Sequence, residues 1–281
     1  MLCFPNTKIN IGLNVISKRP DGYHNIETIF YPIDFCDILE ILPSKSFQLV
    51  NYGIQIDCAV EKNLCFKAYK ILEQIYNIPP VKIILHKKIP FGTGLGAGSS
   101  NAASTLILLN KMNCLNLSEE KLIEYASLLG ADCAFFIKNK PVAASGIGNV
   151  FNDIELCLKN KYIVVCIPSV SVNTANAYSK ITPKEPVKSL SELVKMPVAE
   201  WKNHIKNDFE DTVFKEYPIL QEIKSELYEN GAVYAQMSGS GAAVFGIFEN
   251  MPNIAATMNG NAGVLYRTNA PIFGVITPTN V

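Results

Sequence analysis

Four alternating glycines run into a serine pair at Gly92-Thr93-Gly94-Leu95-Gly96-Ala97-Gly98-Ser99-Ser100. An apolar, β-rich stretch, Val81-Lys82-Ile83-Ile84-Leu85, precedes them, and helix-like Asn101-Ala102-Ala103-Ser104-Thr105-Leu106-Ile107-Leu108-Leu109 follows. A chain without Cβ atoms wraps closely around a ligand and turns several backbone N–H groups toward it. Where such a loop enters a helix, unpaired N–H groups and the positive end of the helix dipole attract an anion. The run therefore demands a strand–loop–helix unit, and phosphate is the ligand it suits. A serine-capped surface turn would not need four glycines between these flanks.

Three loop chemistries compete. A Walker A loop needs a lysine after its last glycine, and none follows here. The dinucleotide pattern G-x-G-x-x-[GA] is met nominally by Gly92, Gly94 and Ala97, but it wants an acidic residue about 20 positions on, ending a second strand. Glu119 and Glu120 stand near that distance, but they follow Ser118 at what reads as a helix start. The third reading is Pro90-x3-Gly94-Leu95-Gly96-x-Gly98-Ser99-Ser100-x-Ala102-Ala103. It suits a nucleoside triphosphate: backbone can approach phosphates, and serine hydroxyls face phosphate or Mg²⁺.

The 281 residues, 48 % of them hydrophobic, can hold one large domain or two modest ones. Lys+Arg and Asp+Glu balance at 25 each, so no basic field favours nucleic acid. No apolar run reaches the ~18 residues of a membrane span, and the N-terminus, with Pro5 and Lys8, does not read as a signal peptide. Eight cysteines are scattered without a C-x-x-C pair, which argues against zinc and for reduced thiols in a cytoplasmic enzyme.

Alternation over Thr7–Ser17 reads as a strand, with Lys8 and Asn10 on its polar side. Further β patterns fall at 27–42, 47–58, 140–151, 161–167, 232–237, 242–248 and 272–276. Helical patterns fall at 62–77, 100–113, 118–129, 198–210 and 216–229. The Ser-, Thr-, Pro- and Lys-rich segment 168–197 reads as an irregular connection with short helical turns. The order is mixed α+β with a boundary near 155–165, giving domains 1–158 and 159–281.

Three more signatures carry chemistry. Lys8-Ile9-Asn10 is followed by Arg19-Pro20-Asp21-Gly22-Tyr23-His24, whose turn presents Tyr23 and His24 from a defined loop. Tyrosine stacks on a base and histidine reads its polar edge, although an exposed hairpin turn has the same residues. Asp132, in Gly130-Ala131-Asp132-Cys133-Ala134-Phe135-Phe136, is either a general base for a hydroxyl or a helix N-cap. Met237-Ser238-Gly239-Ser240-Gly241-Ala242 is either a second phosphate clamp or a hairpin turn.

Together these segments resemble the GHMP kinases (galactokinase, homoserine kinase, mevalonate kinase and relatives), and the resemblance runs through nearly the whole chain. Asn207-Asp208-Phe209-Glu210 is similar to that family as well. The glycine loop selects only the superfamily; the Lys-Ile-Asn strand with Arg-Pro-Asp-Gly-Tyr-His selects the member acting on a cytidine-diphosphate-linked methylerythritol of the non-mevalonate isoprenoid route. The resemblance implies a two-domain fold: a ribosomal protein S5-like N-terminal ATP-binding domain, and a ferredoxin-like α/β C-terminal domain whose segment 168–197 closes over substrate. It implies ATP with Mg²⁺ along Pro90, Phe91, Gly92, Thr93, Gly94, Leu95, Gly96, Ala97, Gly98, Ser99 and Ser100, and no protein-bound metal. Asp132 would be the base on the substrate's 2-hydroxyl, with Lys8 beside it. Asn10 would orient the hydroxyl, Tyr23 would contact substrate, His24 would read cytosine, and Thr174 and Tyr178 would close over the cytidine with Tyr178 stacking. The partners are then a small-molecule substrate and at most a second copy of the chain, without nucleic acid or membrane.

Two segments depart from the family pattern. Cys133-Ala134 stands where the family has Val-Pro, which removes a φ restraint after the base; an exposed Cys133 would make the site sensitive to oxidation or alkylation. Ala97 stands where the family often has glycine, so it needs φ below zero or a tolerated left-handed alanine. The alternatives are a homoserine- or mevalonate-type kinase, whose substrates have no base to read, a non-catalytic nucleotide-binding module, and a dinucleotide-dependent oxidoreductase.

Overall fold

The computed structural model describes residues 1–56 and 58–252, together with the backbone of two strands at 264–267 and 270–278. The chain opens with β1 (Leu2–Cys3), β2 (Thr7–Lys18), β3 (His24–Ile33), β4 (Ile38–Pro43) and β5 (Gln48–Gly53). There follow α1 (Leu64–Tyr76), β6 (Val81–Lys87), α2 (Ala97–Met112), α3 (Glu119–Leu129) and α4 (Cys133–Lys138). Next come β7 (Val142–Ser145), β8 (Val150–Asp153), β9 (Tyr162–Ile167), α5 (Thr174–Ser179), α6 (Leu190–Leu193), α7 (Val198–His204) and α8 (Glu210–Glu216). The last elements are α9 (Pro218–Glu229), β10 (Tyr234–Met237), β11 (Val244–Phe248), β12 (Val264–Arg267) and β13 (Ala270–Pro278).

Packing groups these elements into two compact units that interleave along the chain. One comprises Met1–Thr7, Phe35–Phe91 and Gly96–Lys140; the other comprises Lys8–Asp34, Gly92–Leu95 and Pro141–Val281. The division falls inside the glycine run, between Leu95 and Gly96.

In the first unit a four-stranded sheet of order β1-β4-β6-β5 lies with the helices α1 to α4. The pairs β1/β4 and β4/β6 are antiparallel and β5/β6 is parallel. α2 contacts α1, α3, α4 and β4, which explains why Ala102, Ala103, Leu106 and Leu109 are fully buried. Local signals set the helix ends. Asn63 Oδ1 accepts from Cys65 N–H and Ser118 Oγ from Lys121 N–H, while Asn77 takes the left-handed conformation that stops α1.

The second unit contains two sheets, of order β2-β3-β7-β8 and β10-β11-β9-β13-β12, the latter antiparallel throughout. Leu13, Val15 and Ile26 from the start of the chain share a buried core with Val164, Phe209, Leu220, Ile223, Met237 and Val244. Gly12 marks a close approach: a Cβ there would lie 2.5 Å from Leu190 Cδ2 and 2.9 Å from Ile205 Cγ2.

Several boundaries differ from those expected. The run 27–42 is two strands broken where Asp37 turns inward and is buried. The run 140–151 is two strands separated by Gly146 and Gly148, both at positive φ. The helix expected over 198–210 ends at His204, because the backbone of Lys206 to Asp208 leaves the helix to pair with Leu13. β12 was not legible in the sequence pattern.

Candidate active site

β2 is an edge strand of its sheet, and its length carries Lys8 and Asn10. An edge leaves N–H groups unpaired, which is tolerable in the interior only with other acceptors. Distant side chains supply them. Asn10 N–H donates to Ser238 Oγ at 3.1 Å, Gly12 N–H to Gln236 Oε1 at 2.7 Å and Val15 N–H to Asp208 Oδ2 at 2.7 Å. The strand is thereby held at fixed register along the side of β10 and its turn.

The alternation expected for β2 is present, but its polar side is buried, with Lys8 at 4 % exposure. A buried ammonium needs partners. Lys8 Nζ donates to Asn10 Oδ1 and, at 3.0 Å, to Gly94 O, and it lies 4.6 Å from the centroid of the Phe30 ring. Asn10 Nδ2 donates to Thr28 Oγ1 at 3.0 Å, and Thr28 in turn donates to Gly12 O. Asn10 thus orients Lys8 with one end of its amide and is itself held by the other.

The first part of the glycine run belongs to this same unit. Lys8 N–H donates to Leu95 O and Ala243 N–H to Thr93 O, both at 3.0 Å. Gly94 has φ +78, and a Cβ there would stand 2.0 Å from Ser238 O, so no other residue fits. The Met237–Ala242 segment is the turn between β10 and β11. Ser238 is fully buried with its Oγ 3.0 Å from Gly94 O, whereas Ser240 Oγ pairs with Thr174 Oγ1 at 2.9 Å. Asn207, a side chain without an assigned role in the sequence reading, donates to both Met237 O and Gly239 O.

Tyr23 is 62 % exposed, beyond a Pro20-Asp21-Gly22 turn closed by Arg19 N–H to Tyr23 O at 2.8 Å. Arg19 donates to both carboxylate oxygens of Asp21 and holds that acid below its usual range. His24 opens β3, and its ring stacks on Tyr178 from α5, with centroids 4.9 Å apart and planes 17° apart. The two residues expected to read and stack on a base are therefore neighbours, although 154 positions separate them.

The rest of the glycine run lies in the other unit and starts α2. Gly96 is left-handed (φ 70), and no side chain caps the helix, so its first-turn N–H groups are not taken by a capping residue. Ala97 is the first residue of α2 and is absent from the positive-φ residues, which settles how alanine is accommodated there. Ser99 is partly exposed, whereas Ser100 is buried and its N–H donates to Gly96 O. Asp132 stands at the N-cap position of α4, yet its side chain accepts no capping hydrogen bond. The capping explanation for this aspartate is thus not realised. Cys133 is fully buried and burial pushes its thiol up to about 11, so the exposed, reactive thiol envisaged from the sequence is not what the fold makes.

Two features of this unit were missed from the sequence. A cavity of about 260 Å³ is lined by Ile56, Cys58, Asn63, Leu64, Phe91 and Gly98 among others, and so abuts the glycine run. Behind it, Asp37 accepts from Lys87 Nζ, Lys88 N–H, Ile89 N–H and Asn101 Nδ2, tying β6 and the start of the loop to α2. Lys87 is buried, and that burial lowers its pKa against the opposing pull of Asp37. Neither acid nor lysine carries a motif, since their partners lie 50 or more positions apart.

Among the described residues no group of three or more His, Cys, Asp or Glu could hold a metal ion, and no helix is long and apolar enough to cross a membrane. A glycine-serine loop that opens a helix with uncapped N–H groups is suited to a phosphate-bearing ligand. The GHMP kinases N terminal domain matches residues 63–140 and the GHMP kinases C terminal domain residues 189–261. The chain belongs to the GHMP kinase family and is a kinase.

Its relatives narrow the position further. A 4-diphosphocytidyl-2-C-methyl-D-erythritol kinase of Bacteroides fragilis is 54 % identical over 252 residues, covering 88 % of this chain and 92 % of the relative. The one from Cytophaga hutchinsonii is 44 % identical over 273 residues, covering 97 % and 100 %. A crystal structure of 4-(cytidine 5'-diphospho)-2C-methyl-D-erythritol kinase superposes over the full length of both chains with TM-score 0.78 at 28 % identity. The mevalonate kinase of Methanococcus jannaschii shares the fold, with TM-score 0.69 at 16 % identity over 100 % and 98 % of the two chains. Within the GHMP kinases the chain falls in the 4-diphosphocytidyl-2-C-methyl-D-erythritol kinase group.

Proposed function

We propose that the enzyme transfers the γ-phosphoryl group of ATP to the 2-hydroxyl of 4-diphosphocytidyl-2-C-methyl-D-erythritol, a step in non-mevalonate isoprenoid precursor synthesis. The observation that favours this substrate over homoserine or mevalonate is the stacked His24–Tyr178 pair, an aromatic device for a base that those compounds lack. The nucleotide's phosphates lie along Pro90–Ser100, with backbone N–H groups and the Ser99 hydroxyl as donors, and its adenine occupies the cavity beside Phe91 and Asn63. Magnesium would be supplied with the nucleotide as Mg-ATP, where it would offset phosphate charge.

Asp132 accepts the proton of the 2-hydroxyl as its oxygen bonds to the γ-phosphorus; the bond from that phosphorus to the bridging oxygen breaks, and ADP leaves with the electron pair. Lys8 offsets the negative charge of the transferring group, and a loose transition state needs such positioning more than it needs a strong base. Asn10 acts on the hydroxyl through Lys8, while Tyr23, Thr174 and the segment 168–197 complete the cytidine site. On this reading residues 1–158 bind ATP and 159–281 close on substrate, in a cytoplasmic monomer or homodimer that engages neither nucleic acid nor membrane.

ADP release with Mg-ATP tests the proposal, comparing wild type with Asp132→Asn and supplying the diphosphocytidyl compound, homoserine or mevalonate. Release is expected only with the diphosphocytidyl compound, and kcat in the variant should drop by about 10²–10⁴-fold. Folded wild type that releases no ADP with that substrate sinks the assignment, and a fully active variant removes Asp132 as the base.

A further inference from the structure

Lys8 Nζ and Ser238 Oγ converge on the same two oxygens. The ammonium donates to Gly94 O and Asn10 Oδ1; the hydroxyl lies 3.0 Å from Gly94 O and 3.4 Å from Asn10 Oδ1. The hydroxyl also accepts from Asn10 N–H at 3.1 Å. Ser238 is therefore bonded to both groups that aim the ammonium and to the backbone of the strand that carries one of them.

The turn bearing Ser238 does not need that hydroxyl for its own shape. Ser238 N–H donates to Ala243 O and Gly241 N–H to Ser238 O, closing it through backbone alone. Asn207 adds bonds to Met237 O and Gly239 O, and Glu210 accepts from Met237 N–H. With the turn fixed five times over, the serine side chain is left to act outward, on Gly94 and Asn10. It is fully buried, so it acts without touching a phosphate.

We propose that Ser238 is a positioning residue for phosphoryl transfer, fixing the two oxygens that orient the Lys8 ammonium. This rests on the reading of Lys8 as the charge-offsetting group. A displaced ammonium loses rate steeply, since misplacement by about 1 Å can lower a rate by ~10²-fold.

A double-mutant cycle on kcat tests it, using wild type, Ser238→Ala, Lys8→Ala and the double variant, each checked for folding by thermal melting. Lys8→Ala should lose at least ~100-fold and Ser238→Ala about 10- to 100-fold, with the double variant no slower than Lys8→Ala alone. A Ser238→Ala effect that multiplies in the double variant, or that is absent in the Lys8 background and in wild type alike, overturns the positioning role. Wild-type kcat in Lys8→Ala instead overturns the reading of Lys8. Should Ser238→Ala not fold, Ser238→Cys, which keeps a weak donor and acceptor, takes its place in the same cycle. If that variant also fails to fold, the hydroxyl serves the fold and the inference falls.

Discussion

Cys133 follows the proposed base directly, but it lies sealed at the start of α4, where desolvation raises the thiol to about 11. Cys65 and Cys166 are likewise buried and pushed up to about 11 and about 12. Cys58, Cys114 and Cys157 are exposed. Only a thiolate is alkylated at a useful rate. Iodoacetamide at pH 8 should therefore modify Cys58, Cys114 and Cys157 in the folded enzyme and spare Cys65, Cys133 and Cys166, as read by peptide mass spectrometry. ATP should slow the labelling of Cys58, which lines the cavity proposed for adenine. Labelling of Cys133 as fast as Cys114 would contradict the burial described. At this scale the residue types proposed for the chemistry were visible in the sequence: a lysine and asparagine two apart, a histidine after a turn, an aspartate after a helix stop. Their surroundings were not, because burial is a property of neighbours that the local pattern does not name.

Among the elements, β2 and the segment Asn207-Asp208-Phe209-Glu210 depend most on each other. Asp208 accepts from Val15 N–H, and Glu210 Oε1 accepts from Met237 N–H while its other oxygen takes Lys224 Nζ at 2.7 Å. Burial raises the Glu210 pKa from its ordinary 4.5, opposed by Lys224 and by the Met237 N–H. An acid whose folded pKa exceeds its unfolded one holds its proton more tightly when folded. Its contribution to stability is complete below the unfolded value and is lost as pH rises through the folded value. Glu210→Gln keeps an oxygen for Met237 N–H but does not titrate. The stability difference between wild type and Glu210→Gln, from urea melts, should shift against wild type as pH rises from 4.5 toward neutrality. Parallel curves would show that Glu210 titrates normally. The strand pattern of Thr7–Lys18 was legible from alternation alone, whereas the side chains that satisfy its edge come from Asp208, Gln236 and Ser238, and no periodicity predicts that pairing.

For the chain as a whole, the interleaved units make a simple cut informative. A fragment of residues 159–281 keeps β9 to β13 and α5 to α9 but loses Leu13, Val15 and Ile26 from the core and the whole of β2. Expressed alone it should show no cooperative thermal transition and little near-ultraviolet dichroism, because its apolar faces have lost their partners. A fragment that melts cooperatively near the temperature of the full chain would show that this core is self-sufficient. By itself the sequence determined the α+β class and the strand–loop–helix unit around the glycines, and it named the candidate groups for nucleotide and acceptor, because these are encoded by glycine conformation, local periodicity and side-chain type. Tertiary structure alone decided that Lys8 is a buried cation aimed by Asn10 and Gly94. It also put Ser238 behind both, His24 on Tyr178, and the dividing line of the two units inside the glycine run. Each of these depends on contacts between segments tens to hundreds of residues apart, and such contacts form only when the chain closes its core.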